Sequence, residues 1–229
     1  MIPMDPIFWL FLLPGLLLGI YAQMRLTSTY SRYVRQGIAT GTTGAQAARE
    51  ILDRAGLHNM PVNMVRGHLT DHYDPLKKAL FLSEENYHGH SIAAVGVAAH
   101  EAGHALQHRA SYAPLQLRMA LVPITNFATQ AVFFLILGQL VLGISGMAML
   151  GVIIYGIVAA FQVVTLPVEY DASRRAKQQL LALGIVQRQE TGAVSKVLNA
   201  AALTYVAAMV SAVLSVLYWF SLLRGSDRE

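Results

Sequence analysis

The chain has no cysteine among its 229 residues, which excludes a disulfide framework and thiolate metal ligands. Any metal site must therefore use histidine and carboxylate side chains. Charged residues are also scarce, at 13% of the chain against about 25% in ordinary soluble proteins. The basic residues that produce the net charge of +4 flank apolar stretches and form no basic face, so we expect no nucleic-acid partner.

Three long stretches of the sequence contain no Asp, Glu, Lys or Arg. They cover residues 6–24, 119–168 and 197–223. Because about 20 apolar residues cross a bilayer as one helix, the outer two stretches each predict one span and the middle stretch predicts two. The turn between those two spans is expected near residues 143–146. The sequence therefore predicts a mainly α, integral membrane protein with four transmembrane helices in the lipid bilayer.

The distribution of basic residues predicts how these spans are oriented. Lys and Arg number 10 between the first two spans, none in the hairpin turn, five between the last two spans and two in the tail. Cytoplasmic loops carry the excess of basic residues, so both long loops are predicted to be cytoplasmic and both termini external. The basic residues follow the first apolar run, which predicts an uncleaved helix rather than a signal peptide.

The long first loop has the pattern of a small α+β region. Residues 40–57 predict an amphipathic helix with Thr43 as its N-cap, and Ser91 is the expected cap of a helix over 91–108. Short strands are predicted at 62–65 and 79–82, with a turn at Asp74-Pro75. The strand at 79–82 either exposes an edge to an extended peptide or belongs to a structural hairpin.

The sequence His100-Glu101-Ala102-Gly103-His104 lies within the second predicted helix. Residues four apart share one helix face, so both imidazoles can reach one Zn²⁺ ion. Glu101 is turned away from that face and is positioned to accept a proton from the attacking water. This pattern is typical of zinc peptidases, and a helix whose histidines merely pack in a core is the alternative.

A catalytic zinc needs a third protein ligand and one open position. His108 lies two turns beyond His100, about 12 Å along the helix axis, so one ion cannot bind both. Glu169 is the preferred candidate because it follows fifty uncharged residues and shares the predicted membrane side of His100. Asp171 is the rival, and it could instead hold an imidazole N–H. His72 is a candidate for the wall of the cleft.

Four stretches in order make the chain resemble the bacterial YugP-type neutral zinc metallopeptidases. They are LTDHYDP (69–75), VAAHEAGHALQ (97–107), LPVEYDAS (166–173) and LNAAALTYVA (198–207). The likeness implies a membrane zinc peptidase distantly similar to HtpX-type and prenyl-protein proteases, in which the third ligand is the Glu of E-x-x-A-D. Glu169 and Ala172 match that pattern, whereas Ser173 replaces the Asp, and Asp171 is a candidate for its role.

These observations together predict a zincin-like α+β insertion on the cytoplasmic side of the membrane. The expected segments are an N-terminal span (1–24), a metallopeptidase region (25–118), a helical hairpin (119–168), a cytoplasmic segment with the third ligand (169–196), a C-terminal span (197–223) and a tail (224–229).

The predicted function is a gluzincin-like, zinc-dependent endopeptidase of the bacterial inner membrane, with its active site facing the cytoplasm. One catalytic Zn²⁺ is held by His100, His104 and Glu169, and Glu101 is the general base. A peptide or protein, including membrane proteins, is the expected substrate. Two alternatives are an intramembrane site-2-type protease and a non-catalytic zinc-binding membrane scaffold.

Overall fold

The structure is a computed structural model that describes residues 6–142 and 147–226. This part of the chain is mainly helical, with seven helices and one small sheet. The helices are α1 (Pro6–Tyr33), α2 (Gly44–Arg54), α3 (Glu84–His88), α4 (Ile92–Arg109), α5 (Ala113–Leu142), α6 (Met147–Ala182) and α7 (Thr191–Ser226). The strands are β1 (Val62–Val65), β2 (His72–Asp74) and β3 (Ala79–Ser83).

Four of the described helices, α1, α5, α6 and α7, are long and apolar enough to cross a membrane. Less than a fifth of each apolar window is buried inside the protein, so most of its side chains face outward. Leu10, Phe127 and Phe134 are examples of such exposed apolar residues. Apolar surface of this extent is stable in hydrocarbon and costly in water, which confirms the predicted membrane protein.

The membrane helices are longer than the apolar stretches indicate. The first continues from its apolar part through polar residues to Tyr33. Helix α6 runs through Pro167 and Glu169 without interruption to Ala182, where two separate helices were expected. Gly184, with φ of +68°, follows soon after its end, in a backbone region that favours glycine. The predicted turn at 143–146 lies outside the described residues.

The chain divides into two compact units. The apolar unit combines α1 up to Gln23, α5 from Gln116, α6 up to Leu166 and α7 from Thr204. Small residues let its helices approach closely, since a Cβ atom at Gly15 would lie 2.7 Å from Ser211 Oγ. Such small-residue contacts are a common means of packing helices in membranes.

The second unit, here called the site unit, contains the remainder of the chain. Its core is formed where the alanine-rich face of α4 packs on α2. Ile51 and Leu52 of α2 are fully buried in this core, as are Ala98 and Ala102 of α4. Small side chains on α4 allow this close packing, and burial of the two aliphatic residues stabilises it by about 1.5–3 kcal/mol each.

The N-termini of α2 and α4 have the predicted caps. The Thr43 hydroxyl accepts a hydrogen bond from Gln46 N, and Gln46 Oε1 accepts one from Thr43 N, which completes a capping box. Ser91 Oγ accepts from Ala94 N at 3.1 Å. These caps satisfy amide groups that have no partner within their helices, so they confirm where both helices begin.

The sheet has the order β1-β3-β2, with β1 parallel and β2 antiparallel to β3. Because β3 pairs on both sides, the expectation that this strand exposes an edge is wrong, and the hairpin alternative is correct. The turn was predicted at Asp74-Pro75, but Asp74 ends the edge strand β2 (His72–Asp74), which was not predicted. This strand was missed because three residues are too short for an alternating pattern to be visible.

Candidate metal centre

Helices α4 and α6 bring His100, His104 and Glu169 together within the site unit. One ligand atom from each lies within 4.8 Å of the others. Glu169 Oε2 is 3.2 Å from His100 Nε2 and 3.7 Å from His104 Nε2. The Glu169 side chain is only 2% exposed. A carboxylate buried to this degree is costly unless a cation or hydrogen bonds compensate its charge.

The separations of these atoms suit a zinc ion. Ligand atoms around a tetrahedral zinc, each at about 2.0–2.1 Å, lie roughly 3.4 Å from one another. The two nitrogen–oxygen distances of 3.2 and 3.7 Å bracket that value. Two imidazole nitrogens and one carboxylate oxygen are also a donor set that zinc accepts. The residues therefore fit the metal that the resemblance implies.

Gln107 determines which nitrogen of His104 carries its proton. The Gln107 Nε2 group donates to Val168 O at 2.7 Å and to Asp171 Oδ2 at 3.0 Å. Since both partners are acceptors, the Gln107 Oε1 atom must face His104 Nδ1, which lies 3.0 Å away. Nδ1 then donates its N–H, and Nε2 presents a lone pair toward Glu169. Gln107 is fully buried, so water does not compete for these bonds.

Ser173 contacts the Nδ1 atom of His100, as Gln107 contacts that of His104. Its hydroxyl lies 3.1 Å from His100 Nδ1 and is suited to accept the N–H of that nitrogen. The His100 Nε2 lone pair then also points toward Glu169. Ser173 therefore occupies the place of the Asp in the E-x-x-A-D pattern and contacts the imidazole directly, so the suggestion that Asp171 takes over this contact is wrong.

Three ligand atoms consequently face one point. His100 Nε2 and His104 Nε2 lie 3.2 and 3.7 Å from Glu169 Oε2. A protonated imidazole can compensate the buried carboxylate here, and a neutral one can offer its Nε2 lone pair to a metal. The cluster is thus chemically suited to hold either protons or one cation.

Glu101 lies beside this cluster on the neighbouring face of α4. It is 8% exposed, and burial raises the pKa of its carboxyl group to about 7. The nearby charge of Glu169 also raises this pKa, whereas a hydrogen bond from the main-chain N–H of Tyr73 lowers it. A carboxylate with a pKa in this range can both accept and return a proton near neutral pH.

Gly103 allows α4 and α6 to approach closely enough for the three groups to meet. A Cβ atom at this position would lie 2.6 Å from the carbonyl oxygen of Ala172. Glu169 is one turn before Ala172 on α6, and His104 follows Gly103 on α4. Any side chain larger than hydrogen at Gly103 must therefore separate the helices that carry the ligands.

The other candidate residues lie outside the three-residue cluster. Asp171 accepts hydrogen bonds from Arg174, Arg175 and Gln107. His108 Nδ1 lies 2.7 Å from Tyr73 Oη. His72 is exposed and stacks on Phe81, with a distance of 4.9 Å between ring centroids.

Sequence reasoning did not identify Gln107, and it underestimated Ser173. Both could have been found from helical spacing, since Gln107 is three residues after His104 and Ser173 is four after Glu169. The role of Tyr73 depends on a contact between β2 and α4, for which the sequence contains no local signal.

Comparisons with known proteins identify the family of this chain. The family described as "Putative neutral zinc metallopeptidase" matches residues 8–224. A relative from Bacillus subtilis (strain 168), described as "Putative membrane protease YugP", is 45% identical over 213 residues, which cover 93% of this chain and 95% of the relative. No solved structure matches the chain.

The contact at Gly103 can be tested with a matched pair of glycines on α4. We expect Gly103→Ala to destabilise the protein by about 1–3 kcal/mol through overpacking and to weaken zinc binding, because Glu169 moves with α6. Gly96→Ala should have neither effect, since its Cβ atom would lie 3.5 Å from Val194 Cγ1, an ordinary contact. Thermal unfolding and zinc titration check both variants, and equal behaviour would contradict the close-approach argument.

The two residues that orient the imidazoles give a second prediction. Gln107→Met and Ser173→Ala should each lower zinc affinity by about 10–100-fold, the usual effect of removing the outer partner of a metal-binding histidine. Ser173→Asp should retain affinity, because a carboxylate also accepts the N–H of His100. Gln36→Met changes an exposed glutamine and should leave affinity unaltered. Competition with a chelating dye measures all four, and unchanged affinity in Gln107→Met would exclude the orienting role.

Proposed function

Because this chain belongs to the neutral zinc metallopeptidase family, we propose that it is a membrane-bound zinc endopeptidase with its catalytic centre on α4 and α6. His100, His104 and Glu169 bind one Zn²⁺ ion, and Glu101 is the general base. The observation that carries this proposal is the convergence of two oriented imidazole nitrogens and a buried carboxylate, with a second buried carboxylate beside them.

The proposed reaction is hydrolysis of a peptide bond by water. When bound, zinc supplies a Lewis acid that polarises the substrate carbonyl and makes water more acidic. Glu101 accepts a proton from the attacking water and returns it to the nitrogen of the leaving amine. Its buried position beside the ligand cluster places it next to the reacting groups. Gln107 and Ser173 keep the two imidazoles oriented.

The substrate is proposed to bind in an extended conformation along β2. Leu80 donates its N–H to Pro61 O, on the side of β3 opposite to β2. In the Tyr73–Leu80 pair, the peptide groups of Tyr73 therefore face away from β3, toward the open side of the strand. Its N–H reaches Glu101, so its C=O is the group available to a substrate N–H.

Glu101 favours an enzyme over a zinc-binding scaffold. Metal binding alone does not require a buried acid next to the ligand cluster, and burying one costs stability. A site-2-type intramembrane protease would carry its motif within a span. Helix α4 is not among the four described helices that are apolar and long enough to cross a membrane, and it packs on α2 and the sheet. We therefore propose a gluzincin-like site in a zincin-like region outside the bilayer.

We further propose that this region lies in the cytoplasm of a bacterial cell, with the spans in the inner membrane. Residues 25–118 and 169–196 form the cytoplasmic segments, while 1–24, 119–168 and 197–223 are the membrane segments and 224–229 the tail. The 15 basic residues in the two cytoplasmic segments and their absence from the hairpin turn support this orientation. Peptides or proteins, membrane proteins included, are the proposed substrates.

Replacement of Glu101 tests the proposed mechanism. Glu101→Gln keeps the shape of the side chain but cannot accept a proton. We expect zinc content to be retained and hydrolysis of an unstructured peptide to fall by about 10²–10⁴-fold. Glu169→Gln is the matched variant, and it should lose most of the zinc as well as activity, because it removes a charged ligand. Metal analysis and peptide cleavage are measured on the same detergent-purified samples.

The outcomes separate the three roles. Equal cleavage by native protein and Glu101→Gln would show that Glu101 is not the base. Zinc retention in Glu169→Gln would remove that residue from the ligand set. A native protein that holds zinc but cleaves no peptide in a broad library would favour the scaffold alternative.

The membrane orientation can be tested by labelling, since the chain has no cysteine of its own. Single cysteines at the exposed positions Glu84 and Gln189 should be protected from an impermeant thiol reagent in intact cells. A cysteine at Ser145, in the predicted hairpin turn, should be labelled. Labelling of only one of the first two positions would place the two halves of the proposed site on opposite sides of the membrane and refute it.

A further inference from the structure

A cavity of about 180 Å³ lies beside the catalytic helix, at its C-terminal end. Leu57, Met60 and Ala105 form an apolar part of its wall. The polar part is basic or neutral, with Lys78 and Arg109 carrying positive charge and His108 hydrogen-bonded to Tyr73. None of the described residues along the wall is acidic. This combination suits an anionic group attached to an apolar segment.

The two cations of this cavity have no ion-pair partner among the described residues. Two acids on the adjoining segments are already paired. Asp53 contacts Arg49 at 2.8 Å, and Asp74 contacts Lys77 at 3.4 Å. Lys78 and Arg109, which are both exposed, therefore leave a local excess of positive charge at the mouth of the cavity.

The backbone at Lys78 shows that its position is constrained. Its φ angle is +48°, in the left-handed region where glycine or asparagine is strongly favoured. The preceding turn is held by Asp74 Oδ1, which accepts hydrogen bonds from the N–H groups of Leu76 and Lys77. The hairpin therefore has a lysine at a place where a glycine would be easier to accommodate, and this lysine lines the cavity.

Tyr73 connects the cavity to the proposed catalytic base. Its main-chain N–H bonds to Glu101, and its side chain contacts His108 and lines the cavity. Glu101 and His108 are seven residues apart on α4, or about 10 Å along the axis. An extended peptide covers that distance with about three residues at roughly 3.3 Å each.

From this juxtaposition we propose that the cavity binds a carboxylate of the peptide substrate about three residues from the bond that is cleaved. The carboxylate is either the C-terminus of the peptide or an acidic side chain. Lys78 and Arg109 bind the charge, and the apolar wall contacts the adjoining hydrocarbon. This inference rests on the proposed peptidase function, because it defines which peptides that site selects.

Binding is measured on full-length, zinc-loaded Glu101→Gln protein in detergent, which holds the substrate without cleaving it. Four fluorescent peptides share one sequence of apolar and small residues. In the first pair, one peptide ends in a free carboxylate and the other in an amide. In the second pair, both peptides end in an amide, and one carries Glu where the other carries Gln at internal positions. We expect one acid form to bind at least about tenfold more tightly than its neutral partner, since charge-assisted hydrogen bonds are lost in the latter. The pair that differs identifies the source of the carboxylate.

Variants in the same background test the cavity itself. Lys78→Gln combined with Arg109→Gln should abolish the preference for the acid form and leave the affinity for the neutral peptide unchanged. Lys77→Gln, in the same hairpin but paired with Asp74, should retain the preference. Equal affinity for the acid and neutral forms, no measurable binding of any acid form, or a preference that survives the double change would overturn the proposal. Absence of cleavage by native protein, with the preference intact, would instead contradict the peptidase function.

Discussion

The convergence of three electron-pair donors at one point is the constraint on which the site unit depends. Two imidazoles and a carboxylate meet there, and the Nδ1 atoms of the imidazoles are engaged elsewhere, in the bonds to Gln107 and Ser173. The arrangement also requires α4 and α6 to approach to backbone contact at Gly103. The meeting of the three ligand atoms therefore depends on these hydrogen bonds, on the packing of α4 against α6, and on a glycine at position 103.

Residues far from the ligands contribute to this arrangement through Gln107. Its amide can be oriented only because Val168 O and Asp171 accept from its Nε2 group. Asp171 is in turn held by Arg174 and Arg175, one turn further along α6. A charged cluster at the surface of α6 thus fixes the tautomer of a histidine on α4. Such outer contacts hold the ligand in place without touching the metal.

Much of the fold could be predicted because its signals are local. The charge-free stretches identify all four candidate spans, and Thr43 and Ser91 begin their helices as caps. The lengths of α1 and α6 could not be predicted from the charge-free stretches. Their polar ends are stabilised by packing in the site unit and have no apolar pattern of their own. The central position of β3 depends on pairing between distant segments, which composition does not encode.

The proposed ligands could be predicted from the sequence more readily than the residues that orient them. The His100 and His104 spacing is a property of one helix, and Glu169 was inferred by counting spans. The contact that orients His104 is local, since Gln107 lies three residues further along α4. The contacts of His100 with Ser173 and of Gln107 with Val168 and Asp171 instead join α4 to α6 across more than 60 residues. These contacts between the helices become visible only once α4 and α6 are placed together.

The same convergence links metal binding to folding. In the unfolded chain, both imidazoles and the Glu169 carboxylate are hydrated and separate, so the cost of removing water from the carboxylate arises only when the site unit forms. A cation that binds the assembled site but not the unfolded chain removes this cost and shifts the equilibrium toward the folded state. Burial of Glu169 makes the shift larger, because solvent cannot screen the carboxylate. A metal bound at the proposed site would therefore also stabilise the native fold of this unit.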